Sequence, residues 1–342
     1  MPSNLASRVT GQVLNADGNA AKASEAAMFY VKGSKYDVPW HKLGEPVDGC
    51  LTSAEALKKS GLDYEVKMGP IFTPDMKEIE GYSRTYRADF PDKTFGIVGN
   101  KYTICQNADA FNIVDAIIGN AEAKFDTAGA LYDGRTAWMN AKLAENFTIA
   151  GDEIQPYFLL KVQHDGRGSI ILCMTPTRTV CQNTLNMALG DEKNRKQDSR
   201  FQKVKHTKNY EARMKEAARI MGFTTAYYDQ FRKKANSLVE VKFSEKQFSD
   251  LMDQLFGDPA IIESKRGATL AETAREKCIR ALAADDLANI KDTGWGAYNA
   301  IADYADHMRN LRGENQQANA FLRTFEDTDL KDRALEIILA TR

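Results

Sequence analysis

The sequence predicts an α+β protein: an antiparallel sheet core built of hairpins with packed helices, followed by a helical C-terminal region. Three observations predict it. Between residues 64 and 178, apolar β-branched runs are split by Gly99-Asn100, Asp133-Gly134 and Asp165-Gly166, dipeptides that supply the positive φ angles of tight hairpins. The tripeptide Cys-Gln-Asn stands at 105–107 and again at 181–183, each time between a β-branched run and an apolar helical pattern. Beyond residue 190 no strand pattern is evident, and apolar residues recur at helical spacing.

Taken in order, residues 1–27 are rich in Ala, Ser, Asn and Gly and are expected to form a mobile N-terminal arm. The stretch "AMFYVKGSKYDVPWHKLGEPV" reads as extended, with Trp40 and His41 between Pro39 and Pro46. These two side chains are expected either to pack locally or to plug into a neighbouring subunit as an oligomer interface. "LTSAEALKKSG" predicts a short helix with a capping box from Thr52 to Glu55 and a stop at Gly61. In "FGIVGNKYTICQNADAFNIV" two short strands are expected to turn at Gly99-Asn100 and end at the first Cys-Gln-Asn. Asn107 is the expected N-cap, and Asp109 sits where the helix dipole favours negative charge.

The second copy has the same plan. "YFLLKVQHDGRGSIILCM" turns at Asp165-Gly166, "TPTRTV" leads into Cys181, and Asn183 is the expected cap. Two readings stay open: a duplicated β-β-β-α-like unit, or two unrelated strand-to-helix corners. The resulting scheme is an arm (1–27), a mixed β-rich core (28–190), a basic connector (191–208) and a helical region (209–342). In the helical region Tyr210, Met214, Ala218 and Met221 share one face, as do Leu270, Ala274, Cys278 and Ala281, and Tyr298, Ile301, Ala305 and Met308.

Composition narrows the chemistry. A 342-residue chain with 43% hydrophobic and 27% charged residues has the make-up of an ordinary globular protein. No apolar run reaches membrane-spanning length, and the first residues lack the basic-then-apolar plan of a signal peptide, so a cytoplasmic location and no membrane partner are expected. The five cysteines are odd in number and dispersed without a C-x-x-C pair, which predicts reduced core residues. The four histidines form no close pair, and neither G-x-x-x-x-G-K-[ST] nor G-x-G-x-x-G occurs. No metal, no cofactor and no catalytic constellation is therefore expected.

Charge supplies the candidate sites. Residues 193–208, "KNRKQDSRFQKVKHTK", carry five Lys and two Arg against one Asp, a net +6 in a chain whose formal charge is −1. Lys193, Arg195, Lys196, Arg200, Lys203, Lys205 and Lys208, with His206, are candidate phosphate contacts, and Phe201 could stack on a base. The competing reading is a solvated connector. A second set lies in "YSRTYRADF": Arg84 and Tyr86 share a strand face by the period of two, with Arg87, Lys101 and Tyr102 near in sequence. Arg178, just ahead of a predicted helix N-terminus, could hold an anion.

Four ordered stretches, "VPWHKLGEPV", "TRTVCQNTLNMAL", "KHTKNYEARMKEA" and "TGWGAYNAIADYADHMRNL", resemble the phage/plasmid-like protein family, a group of unknown function in tailed phages, prophages and conjugative plasmids. The similarity runs from about residue 28 to residue 312. The resemblance implies a mobile-element protein working in the cytoplasm of a bacterial host cell and supplies no catalytic site. At fold level the β-β-β-α order is similar to single-strand annealing proteins of the Redβ and RecT type, which oligomerise as rings or helices around DNA; this is an analogy of fold. The expectation is a DNA-recombination protein, not an enzyme, that binds single-stranded DNA and promotes annealing without ATP, as a homo-oligomer, with a partner nuclease conceivable. The alternatives are a structural or host-interaction protein that assembles into oligomers, and an enzyme acting on nucleic acid.

Overall fold

Paired strands, among them β7 (Thr136–Lys142) and β9 (Asp152–Gln163) buried along most of their length, and the helices after residue 209 give the chain its α+β form. The computed structural model describes residues 25–31, 45–49, 51–118, 124–143, 146–178, 201–221, 225–309 and 329–341. Residues 1–24, Trp40, His41, the second Cys-Gln-Asn with its expected helix, and residues 193–200 lie outside these. Residues 25–27, the end of the expected arm, open a strand.

The strands are β1 (Glu25–Val31), β2 (Glu45–Val47), β3 (Val66–Gly69), β4 (Tyr82–Arg87), β5 (Phe90–Gly99), β6 (Lys124–Leu131), β7 (Thr136–Lys142), β8 (Phe147–Ile149), β9 (Asp152–Gln163), β10 (Ile170–Arg178) and β11 (Phe201–Val204). The helices are α1 (Ser53–Lys59), α2 (Asn107–Ile118), α3 (Tyr210–Met221), α4 (Thr225–Val239), α5 (Glu245–Phe256), α6 (Lys265–Leu282), α7 (Gly294–Asp303), which runs into a π-helical turn over Tyr304–Met308, and α8 (Asp329–Ala340). Among the described residues the strands form two sheets. One is ordered β11-β10-β9-β7-β6-β1-β2, with β8 also on β9; the other is β3-β4-β5. No described helix is long and apolar enough to cross a membrane.

Two compact units divide the chain. The first takes residues 1–143, 157–174 and 199–223. Its core is set by β6 and β7, paired from Lys124↔Lys142 to Leu131↔Thr136 around the Asp133-Gly134 turn. Phe125 of β6 meets Phe111 of α2 with ring centroids 5.0 Å apart, and both rings are buried. Burial of such a ring contributes about 1.5–3 kcal/mol. The helix α1 carries the predicted Thr52–Glu55 capping box and stops before Gly61, whose φ is +66°.

Two strand expectations change here. Residues 101–104 are not a strand: Tyr102 N–H turns back onto Gly99 C=O, and the ten-residue β5 pairs with β4 instead. Conversely, residues 201–204 inside the basic stretch are the strand β11, paired antiparallel with β10 from Ile170↔Val204 to Cys173↔Phe201. Four residues with two Lys-flanked positions give no visible alternation, so sequence pattern alone misses them.

The second unit takes residues 144–156, 175–198 and 224–342. Trp295 and Tyr298 of α7 are fully buried and stack on each other, Trp295 meets Phe231 of α4 edge-on, and the Trp295 indole N–H donates to Asp152 Oδ2 at 2.9 Å. The "TGWG" segment is a helix start: Thr293 caps it by accepting from Gly296 N–H. A Cβ at Gly296 would lie 2.2 Å from the Ile290 carbonyl oxygen, so only glycine fits. On α6 the buried face is Ala271, Ala274, Cys278 and Ala281; Leu270, expected on it, points outward at 43% exposure.

Candidate nucleic-acid interface

The Cys-Gln-Asn motif at the start of α2 is a structural junction. Cys105 is fully buried, and burial raises its thiol pKa well above the usual range, which leaves it an inert thiol. The Gln106 side chain accepts from Val66 N–H at 3.0 Å and donates to Val66 C=O at 2.8 Å, serving both backbone groups of that β3 residue. Asn107, expected to cap α2, does not: the Gln106 carbonyl takes the first helical bond, from Ala110 N–H. The Asn107 amide instead donates to Leu62 C=O at 3.0 Å, and its oxygen meets His164 Nε2 at 2.9 Å.

His164 and His206 form the polar interior of this junction. The His164–Asn107 contact requires the proton on Nε2, because the Asn107 nitrogen is already donating. Burial, with a smaller push from His206, lowers the His164 pKa to about 3. Burial likewise lowers His206 to about 4, against the opposing pull of the Thr103 carbonyl, which its Nδ1 meets at 3.3 Å. Tyr102 stacks on His206 with centroids 4.7 Å apart and donates to Gln163 C=O. Both imidazoles are neutral and enclosed, so neither can reach a substrate proton as a general base must. Among the described residues no group of three or more His, Cys, Asp or Glu could hold a metal ion.

The same junction organises the surface. Thr103 N–H donates to His206 C=O at 3.1 Å, which joins two segments a hundred residues apart. Lys101 lies two residues from one end of that bond, and Lys205 and Lys208 lie one and two residues from the other. All three lysines are exposed. Gly99 and Asn100, just ahead of Lys101, close on the start of β4, since Gly99 pairs with Tyr82 and Asn100 N–H donates to Gly81 C=O. The lysine cluster therefore borders the outer face of the β3-β4-β5 sheet.

That face carries Tyr82, Arg84 and Tyr86 of β4 and Ile97 of β5, while Thr85, Val66 and Val98 turn inward. The Arg84 guanidinium lies 4.3 Å above the Tyr86 ring and donates to Pro91 C=O at 2.5 Å. Tyr86 in turn lies over Gly69, where an added Cβ would come within 3.1 Å of the ring. Beside Tyr64 and Phe90 the surface becomes acidic, in a depression lined by Asp63, Glu65 and Asp89.

The sequence-predicted residues divide. Lys101, Lys205 and Lys208 are exposed on the two segments that the Thr103–His206 bond joins, Arg84 and Tyr86 contact each other on the outer face of the β3-β4-β5 sheet, and Lys203 is exposed on β11. Arg87 does not join the outer face: it pairs with Asp89 at 2.7 Å and covers the ring of Tyr64, whose hydroxyl burial pushes up to about 12. His206 is a buried junction residue instead of a phosphate contact. The side chains of Arg178 and Phe201, and residues Lys193, Arg195, Lys196 and Arg200, lie outside the described parts, as do Trp40 and His41. Sequence reasoning missed Tyr82 and Ile97. Tyr82 was within reach, standing two residues before Arg84 in the same alternation; Ile97 sits in an apolar run, where nothing in the sequence marks it as exposed.

A family model, Domain of unknown function (DUF932), matches residues 94–325, and the chain belongs to that family. No curated protein and no solved structure matches the chain.

Proposed function

We propose that this DUF932 member is a single-stranded DNA-binding protein that promotes annealing of complementary strands without ATP, in the recombination of a mobile element such as a phage or plasmid. One observation carries the reading: the Thr103–His206 hydrogen bond gathers Lys101, Lys205 and Lys208 beside an aromatic and cationic sheet face. Among the described residues none of the three lysines takes part in an ion pair. Their charge is thus available to a polyanion, and every phosphate they neutralise releases condensed counterion, about 0.7 per contact on a single strand. The chain's resemblance to phage and plasmid proteins and to annealing proteins adds support from sequence alone.

The test is fluorescence anisotropy on a labelled single-stranded oligonucleotide across a salt series, with strand annealing followed in parallel. The parent is expected to bind with a clear inverse dependence on salt and to accelerate annealing in the absence of ATP. Changing Lys101, Lys205 and Lys208 together to Glu should weaken binding and reduce the magnitude of the salt slope by about 2. Its melting temperature should barely move, because exposed lysines contribute little to stability. An unchanged affinity and slope would remove the lysine cluster from any binding role. A second reading, a surface for another protein, is favoured by Phe72, Met76 and Ile79, exposed at 47%, 74% and 38% between β3 and β4; it predicts no DNA affinity at all.

A further inference from the structure

We infer that the outer face of the β3-β4-β5 sheet is a stacking platform for two successive unpaired bases of a DNA strand, one on the Tyr82 ring and one on the Arg84 guanidinium. The inference rests on the DNA-binding reading above and deepens it, since the lysine cluster provides for phosphates but says nothing about bases.

Three features of the face carry it. Tyr82 is 56% exposed, and the residue opposite it across the strand pair is Gly99, where even an added Cβ would touch nothing nearer than a carbonyl at 4.0 Å. The ring therefore stands uncovered on its β5 side. Arg84 is held in place from beneath by Tyr86 and from the side by the Pro91 carbonyl, so its flat guanidinium is already oriented without a ligand. Gly69 makes that possible by leaving room for the Tyr86 ring on the sheet surface.

Spacing and charge then select the occupant. Tyr82 and Arg84 are two residues apart on one strand, so the two planes are separated by about 7 Å, a distance that suits an extended single strand and not a stacked duplex. Ile97, 61% exposed and paired with Arg84, supplies an apolar flank for a base edge. The face itself is cationic at Arg84, and Lys101 follows directly on the β5 end, so a polyanion with aromatic substituents fits it where an apolar peptide would leave the guanidinium desolvated. Aromatic rings and arginine planes both stack on any base, which predicts binding with little sequence preference.

The experiment compares oligo(dT) with an abasic strand of the same length and phosphate number, by anisotropy at fixed salt. The parent should bind oligo(dT) at least about tenfold more tightly than the abasic strand. Tyr82→Ala should weaken oligo(dT) binding by roughly five- to a hundredfold, the range for loss of one stacked base, and leave abasic binding unchanged. Arg84→Lys, which keeps the charge and loses the plane, should act the same way, and Tyr82→Phe should retain parent affinity. Equal binding of both strands by the parent, or parallel loss of both in Tyr82→Ala, overturns the platform and leaves the lysine reading standing. A parent that binds neither strand overturns both.

Discussion

Asn107 uses its amide to bridge Leu62 and His164, and Gln106 uses its own to serve Val66, so two adjacent polar side chains tie together three separate parts of one unit. The tripeptide is conspicuous in the sequence, yet its work is not readable there, because its partners lie 40, 45 and 57 residues away. A cap was the local expectation; a tertiary demand overrode it. The two histidines make this junction sensitive to acid. In the unfolded chain each would titrate near 6.5, whereas in the fold they are held down at about 3 and about 4. The unfolded state therefore binds more protons below pH 6.5. Stability is fully present above that pH and falls as pH drops, by up to about 1.4 kcal/mol per pH unit for each ring. Both rings contribute down to about pH 4, and His164 alone below it. Urea midpoints measured from pH 7 to 4 should decline accordingly, and His206→Gln should flatten the decline by about half; a midpoint independent of pH over this range would contradict the neutral, enclosed state of the pair.

Among the elements, α1 with its capping box, the Asp133-Gly134 and Asp165-Gly166 turns and, Leu270 apart, most of the buried positions of α3, α6 and α7 were legible, because each depends on residues within a few positions of one another. What was not legible depends on pairing at a distance. The run at 101–104 is β-branched enough to read as strand, but its backbone bonds are a local turn from Tyr102 to Gly99 and a single distant one to His206, and Tyr102 adds side-chain contacts to His206 and Gln163. The strand β11 exists because β10 offers it an edge. The strand β5 depends on a close approach of the same kind. At Gly96 an added Cβ would lie 2.1 Å from the Asp165 carbonyl oxygen, a backbone atom of the β9–β10 turn that has little freedom to withdraw. Gly96→Ala is therefore expected to destabilise the protein by about 1–3 kcal/mol or more, read as a lower denaturant midpoint with unchanged slope. A neutral outcome would mean that the turn can shift away from β5.

At the scale of the whole molecule, the chain passes between its two compact units five times, at 143/144, 156/157, 174/175, 198/199 and 223/224. The helical region read from sequence as a continuous C-terminal piece thus draws on residues 144–156, which precede it by more than fifty positions. Phe147 packs on Tyr228 and Phe231, and Asp152 accepts the only polar hydrogen of the Trp295 indole. Residues 224–342 expressed alone would lack both. Their aromatic core would be open on one side and the indole N–H left unpaired in the interior, a cost of about 1–3 kcal/mol for that group alone. Such a fragment should retain helical far-ultraviolet circular dichroism while losing the near-ultraviolet signal of fixed Trp295 and Tyr298 rings. Adding residues 144–156 as a separate peptide should restore part of it. A rigid, cooperatively melting fragment would show that β8 and the start of β9 are dispensable.

The Gln106 amide also bears on how molecules meet one another in a crowded solution. Strand β3 lies at the margin of its sheet, where an exposed N–H and C=O pair invites a strand from a second molecule to dock and begin an aggregate. At Val66 that invitation is already taken up from within, by a side chain that imitates a peptide group and cannot propagate a ladder. A leucine at 106 would leave the margin open, so the expected signature of its loss is a protein that still folds but precipitates sooner as concentration rises.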